Sequence, residues 1–321
     1  MKPLTIKELA DLYTKSPDFT VLSPNTKKSY LAYLDMVVET GGQIPLQYES
    51  NLIHTVTQGS EWFKTIQATG WPNYTQNGVV GQIKRLFSWG IEKLGLPADT
   101  SPATYMPKLK HEKKDSNPFT PDEIKRIQNH RIIHGTKYAP LKLTEQETIV
   151  SYMVEFLFET GMRPGEMFNL KLHDVVLDDH QSGFKSRDRL IQIMGAKGKE
   201  KGKVSRYISV TPQVDSLIKI AIQHRHSRKS VKCDNLWVSM QGKKIDHNNF
   251  AKSFKNLMVK VGLLDKQIYD LRRGCATEII NNPAYGLNVA QKQLGHASIN
   301  TTMIYEKLSK KRAARMFRGH N

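Results

Sequence analysis

The chain has 321 residues, more than one domain usually holds, and its 39% hydrophobic content is enough to fill real cores. Its net charge of +18 is uneven: residues 1–110 carry 11 Lys and Arg against 9 Asp and Glu, and residues 111–321 carry 37 against 21, which selects a polyanionic partner. No apolar run approaches a bilayer span, no apolar signal region follows Met1, no basic amphipathic anchor or lipidation motif is present, and Cys233 and Cys275 stand apart. Membrane, secretory and disulfide-framed classes are therefore excluded, nucleic acid is preferred to an anionic lipid surface, and a cytoplasmic protein is expected.

In chain order, Thr5–Tyr13 predicts a short amphipathic helix, followed by a loop containing Pro17 and Pro24. Tyr30, Tyr33, Leu34, Val37 and Val38 keep the rhythm of a helix with one buried face, which Gly41-Gly42 ends. A further helix surrounds Trp62 and Phe63, and another runs from Asn77 to Leu94 with Val80, Ile83, Phe87 and Leu94 inward, until Gly95 and Pro97 stop it. Residues 1–106 thus read as a small helical domain.

Residues 107–119 are charged, proline-bounded and nearly free of apolar side chains, the composition of a linker. Thr120 then announces a helix: a capping threonine, Pro121 at the first helical position and Glu123 three residues after the cap. A second domain, 120–321, starts there. Ile149–Glu159 is a strongly apolar helix ending at Thr160-Gly161. Leu190–Met194 and Arg206–Val210 alternate as strands, joined into a hairpin by the Gly- and Lys-rich 195–205. Helices are predicted at Val214–His224, Asn248–Val261, Tyr269–Asn281, Val289–Leu294 and Ser298–Lys310. The predicted fold class is mainly α with a small β-sheet.

Two clusters have metal-like composition, His130 with His134, and His173 with Asp174, Asp178, Asp179 and His180. Neither carries a full ligand set, so solvated faces are expected and no metal site is assigned.

Other residues carry chemistry only in combination. Thr160-Gly-Met-Arg-Pro-Gly-Glu166 puts Arg163 on a tight turn between helices, where a fixed guanidinium can hold two phosphate oxygens, with Glu166 one turn on. Its plainer reading is a surface arginine beside a helix cap. Tyr269-Asp-Leu-Arg-Arg273 offers Arg272 one turn after Tyr269, and its plainer reading is a basic helix face. In Leu294-Gly-His296, the glycine can end a helix, Ser298 can cap the next, and Tyr305 falls two turns into it; a tyrosine so spaced from Ile299 and Met303 more often packs.

Taken in order, Thr-Gly-Met-Arg-Pro-Gly-Glu, a Lys-Gly hairpin, an x-x-Leu-Arg helix, Leu-Gly-His and a tyrosine nine residues later resemble the tyrosine recombinases, also called the phage integrase family. The resemblance covers the second domain nearly end to end, and the first looks like the family's helical core-binding, DNA-binding domain. It implies that Tyr305 is the nucleophile, Arg163 and Arg272 the phosphate-clamping pair, His296 a hydrogen-bonding partner of the phosphate, Lys197 the general acid and Glu166 a supporting acid. The chemistry suits that set, because attack on a phosphodiester builds charge on its oxygens that fixed cations and a proton donor relieve.

The chain departs from the family pattern in two places. Tyr269 stands where the family usually has histidine; it still donates a hydrogen bond but is a poorer proton acceptor near neutral pH, and activity is expected to persist with it. The hairpin is crowded with Lys197, Lys199, Lys201 and Lys203. Lys197, in Gly-Ala-Lys-Gly, is matched to the family's hairpin lysine, and the others, with Arg273, are assigned to backbone phosphates.

The resemblance implies a site-specific DNA recombinase, an integrase that integrates or excises a phage or mobile element through a 3′-phosphotyrosyl intermediate, without ATP, metal or other cofactor. Its implied partners are duplex DNA bearing specific recombination sites, further copies forming a homo-tetramer on DNA, and accessory DNA-bending factors; bound to DNA it would associate with the nucleoid. Type IB topoisomerase-like relaxation and a non-catalytic DNA-binding regulator on the same fold are the alternatives. The tail 306–321, with Lys310, Lys311, Arg312, Arg315 and Arg318, is expected either to dock on a neighbouring protomer, as the family's tails often do, or to lie on DNA.

Overall fold

Thr5 opens the first helix, α1 (Ile6–Lys15), through a capping box: its backbone N–H donates to Glu8 Oε2 at 2.7 Å while Glu8 N–H donates back to the threonine hydroxyl. The computed structural model of the chain describes residues 4–46, 51–111, 117–133, 143–176, 190–194, 204–295, 298–299 and 303. Two compact units divide it, residues 1–114 and 115–321.

In the first unit the segment at Pro17, expected as a loop, forms a one-turn helix, α2 (Pro17–Thr20). Ser16 caps it, proline takes its first position, and the turn buries Phe19. Capped by Ser23 and Asn51, α3 (Pro24–Gly41) and α4 (Leu52–Ala68) follow, then α5 (Asn73–Leu94). Leu9, Val37, Ile66, Val79, Ile83 and Leu86 form the fully buried centre of this unit. Leu94, expected inward, is exposed instead: Gly95 turns left-handed after it and Leu96 takes the core position. Leu109 and Lys110, expected in the linker, are tied to α5, where the Asn77 amide exchanges hydrogen bonds with Leu109 and the Asn73 amide donates to Lys110 O.

The second unit begins its packing at Phe119, which is fully buried and whose N–H donates to Asp270 O. Lys266, nearly buried, holds this entry: its ammonium donates to Pro118 O at 2.9 Å and Asn117 Oδ1 at 3.0 Å and pairs with Glu123 at 2.7 Å. The capping box at Thr120 and Glu123 starts α6 (Pro121–Ile133). The central helix is α7 (Glu145–Thr160), whose Val150, Met153, Val154, Phe156 and Leu157 are buried, so that other elements pack around it on several sides. A short α8 (Pro164–Asn169) leads to the sheet.

Among the described residues the sheet has three antiparallel strands in the order β1 (Val175–Val176), β2 (Leu190–Met194) and β3 (Val204–Ser209). Two residues are too few for alternation to reveal, so β1 has no sequence signature. The third strand begins before Arg206 and stops short of Val210. Val204 lies opposite Met194 and Arg206 opposite Ile193, which leaves Ser205 as the extra residue of a bulge. Among the described residues, α9 (Pro212–His226), α10 (His247–Lys260), α11 (Ile268–Asn281) and α12 (Gly286–Leu294) follow the sheet. Among the described residues no helix is long and apolar enough to cross a membrane, and no group of three or more His, Cys, Asp or Glu side chains is gathered in metal-binding fashion.

Candidate active site

The turn after α7 exists because Gly161 adopts φ +62°, a left-handed conformation costly to any side chain. A Cβ there would also come within 2.8 Å of Cys275 Sγ and 2.9 Å of Leu294 Cδ2. Met162, fully buried, anchors the far side, so Arg163 emerges at a fixed place as the residue before Pro164, the first of α8. Glu166 then fixes Arg163 twice. Its carboxylate accepts from the arginine backbone N–H at 2.7 Å and from Nη1 at 2.9 Å. The Arg163 side chain remains 43% exposed, enough to meet a ligand.

Across from this turn, α11 supplies Tyr269 and Arg272. Tyr269 stands close enough to the Arg163 guanidinium to act on its charge. Burial works against Arg163's charged form, but Glu166 and then Tyr269 outweigh it and raise its pKa. Arg272 is not on a basic outer face: it is 1% exposed, with Nη1 donating to Gly161 O and Nη2 to Leu294 O, both at 2.7 Å. Its pKa is lowered by burial first and by neighbouring Arg163 second, yet a guanidinium keeps its proton under such pressure. Arg272 therefore ties together the Arg163 turn, α11 and the end of α12. Arg273 is paired with Asp270 at 2.8 Å, its guanidinium 5.7 Å from the Tyr269 ring centre. Buried Cys275 lines the same turn, and burial pushes its thiol up to about 12, so it stays protonated and inert at neutral pH.

One further side chain enters the cluster that its sequence motifs do not name. Arg206 of β3 places both terminal nitrogens on Glu166, at 3.0 and 2.7 Å, and its Nε on Gln293 O of α12 at 3.0 Å. Its signal in the sequence is parity: it alternates with Ile208, which is fully buried, so it lies on the inward face of the hairpin. Burial alone would raise the Glu166 pKa, but the Arg206 fork and then Arg163 overcome this and hold it down to about 2.

The consequence for stability has a definite sign. Because the folded-state pKa of Glu166 lies below its ordinary value of 4.5, the ionised network contributes fully above that value and is lost as pH falls towards 2. By linkage the loss from this residue between pH 6 and pH 3 is about 2 kcal/mol. Denaturant titrations should show this acid-side decline in the wild type and a decline smaller by about that amount in Glu166→Gln. Equal slopes in the two proteins would contradict the assignment.

The described structure thus gathers Arg163, Glu166, Tyr269 and Arg272, with Arg273 at the edge paired to Asp270. α12 ends as its sequence predicts, with Gly295 at φ +65°. Lys197, Lys199, Lys201, Lys203, His296 and Tyr305 lie outside the described residues, as do the tail and, apart from Ser298, Ile299 and Met303, the helix expected over Ser298–Lys310. Of the metal-like clusters, His134, Asp178, Asp179 and His180 also lie outside, and His173 is 3.6 Å from Asp174.

Residues 119–312 match the model of the phage integrase family. The chain is similar to the tyrosine recombinase XerD of Oceanobacillus iheyensis, with 32% identity over 180 residues that cover 53% of each chain. It spans about half the length of the first curated relatives it matches. Its fold is similar to that of the Tn1549 transposon integrase in complex with circular intermediate DNA, at 18% identity and a TM-score of 0.66 over 94% of this chain and 95% of the other. It is also similar to a lambda integrase tetramer bound to a Holliday junction, at 14% identity and a TM-score of 0.65 over 94% and 77%. At these identities the structural likeness establishes the fold, mainly helical with a small sheet. The family match extends over more than half of the sequence and contains the whole Arg163 cluster: the chain belongs to the phage integrase family.

Proposed function

We propose that this protein is a site-specific DNA recombinase that cuts and rejoins strands through Tyr305. The observation that supports this reading most is the cluster of Arg163, Tyr269 and Arg272 around Glu166, inside the segment that matches the family. Arg163 presents a guanidinium held at its backbone and its head by one carboxylate, so little reorganisation remains when a phosphate arrives. The Tyr269 hydroxyl, standing where the family usually has histidine, donates to a phosphate oxygen. Arg272 adds a buried charge beside Arg163 and keeps the turn rigid. His296 supplies a further donor.

In the proposed step the Tyr305 hydroxyl releases its proton to solvent as its oxygen bonds to phosphorus, the bond to the 5′ oxygen breaks, and Lys197 gives that oxygen a proton. The resulting 3′-phosphotyrosyl link keeps the phosphodiester energy, and a 5′-hydroxyl from the partner duplex reverses the reaction. We assign residues 1–106 to DNA binding and 120–321 to catalysis, with Lys199, Lys201, Lys203 and Arg273 on backbone phosphates. The active assembly is a tetramer on two duplexes in the cytoplasm, a reading supported by the junction-bound lambda integrase tetramer. Integration or excision of a mobile element is supported by the circular intermediate held by the transposon integrase.

The test uses nicked duplexes made from genomic fragments that the protein retains, so that the short cleaved strand diffuses away. A denaturant-stable protein–DNA adduct at a 3′ end is expected. Retention of fragments with no adduct on any of them would leave a DNA-binding regulator instead.

A further inference from the structure

We propose that Arg206 is a positioning residue for strand cleavage, a brace that sets Arg163 and the end of α12 at one distance from β3. The proposal rests on the recombinase reading above. Three nitrogens of one side chain do three tasks: Nη1 and Nη2 grip both oxygens of Glu166, and Nε donates to Gln293 O. Glu166 in turn carries Arg163 by its backbone and its guanidinium. Gln293 precedes by two residues the left-handed Gly295, after which the chain continues into His296. Its own side-chain amide donates to Thr160 O at 3.2 Å, at the end of α7.

Two local features prepare this arrangement. The bulge at Ser205 resets the phase of β3, so that Arg206 faces inward together with fully buried Ile208 while Ser205 and Tyr207 face out. Gly295 leaves the room the side chain needs: a Cβ there would stand 2.7 Å from Arg206 Cδ and 3.1 Å from Nη1. The arginine is only 8% exposed, so its polar contacts are turned into the protein rather than towards a phosphate backbone. A planar fork with a third donor at its base matches this set of acceptors, which a lysine could not satisfy together.

Single-turnover cleavage of a nicked duplex, DNA half-saturation and amide hydrogen exchange would be compared in wild type, Arg206→Gln, Arg206→Lys, Glu166→Gln and the Arg206→Gln/Glu166→Gln double variant. Arg206→Gln should cleave about a hundredfold more slowly at saturating DNA, as expected for a small misplacement of reacting groups, with half-saturation nearly unchanged. Arg206→Lys should recover only a minor part of the rate. The double variant should be no slower than the slower single one, because both remove the same link. Exchange at the amides of Glu166 and Gly295 should quicken in Arg206→Gln, a readout independent of any reaction. A wild-type rate, a loss confined to DNA affinity, additive losses or unchanged exchange would each overturn the brace. If the wild type itself forms no adduct, the recombinase reading fails, while the exchange arm still judges the brace. Should Arg206→Gln fail to fold, Arg206→Lys, which keeps the charge and loses the fork, carries the comparison.

Discussion

Replacing Arg272 with alanine is expected to slow strand cleavage by about a thousandfold and to destabilise the second unit by about 3 kcal/mol, the order of two lost hydrogen bonds from a charged donor plus the space left behind. Both effects follow from one placement. The guanidinium is 1% exposed and closes on Gly161 O and Leu294 O, so its removal leaves two buried carbonyls without their donor and unties the Arg163 turn from the end of α12. It also withdraws a positive charge next to Arg163. Arg272→Lys separates the two effects: charge is retained, but a single ammonium cannot reproduce both carbonyl bonds in the same geometry. Most of the folding stability should return in that variant while cleavage stays at least about a hundredfold down. Cleavage within tenfold of wild type in Arg272→Lys, measured at saturating DNA, would show that the fork geometry is unimportant.

The features legible in the sequence are those written within a few residues. The capping box at Thr120, the helix-ending glycines Gly161 and Gly295 and the long helices with one apolar face all follow from local chemistry, and the fold places them where the pattern does. Features decided by distant partners are harder to read. Arg272 looks like part of a basic face because Arg273 follows it, yet Leu271, Gly274, Cys275 and Ala276 make its surroundings small and apolar, and it is buried against residues more than a hundred positions away at Gly161. Arg206 was legible as a strand residue but not as a partner of Glu166, 40 positions earlier. The one-turn helix at Pro17–Thr20 is too short for apolar periodicity to show, and its proline, at the first helical position, starts the turn.

The Tyr269 position gives the cluster its own character. A tyrosine near Arg163 keeps a hydroxyl donor at the proposed site, but it gives up the imidazole that would titrate near neutral pH. The acid-side behaviour of the folded site is instead dominated by Glu166, held down to about 2 by Arg206 and Arg163 against its burial.

Loss of the proposed nucleophile, Tyr305, is the other large effect expected. Tyr305→Phe removes only the phenolic oxygen, leaving the ring and its packing, so DNA binding should persist while covalent chemistry stops. The measurement is adduct formation on a nicked duplex by wild type and Tyr305→Phe, followed by mass mapping of the DNA-linked peptide. A 3′-phosphate on Tyr305 is expected in the wild type and no adduct in the variant. An adduct that survives Tyr305→Phe, or a phosphate mapped to another residue, would contradict it.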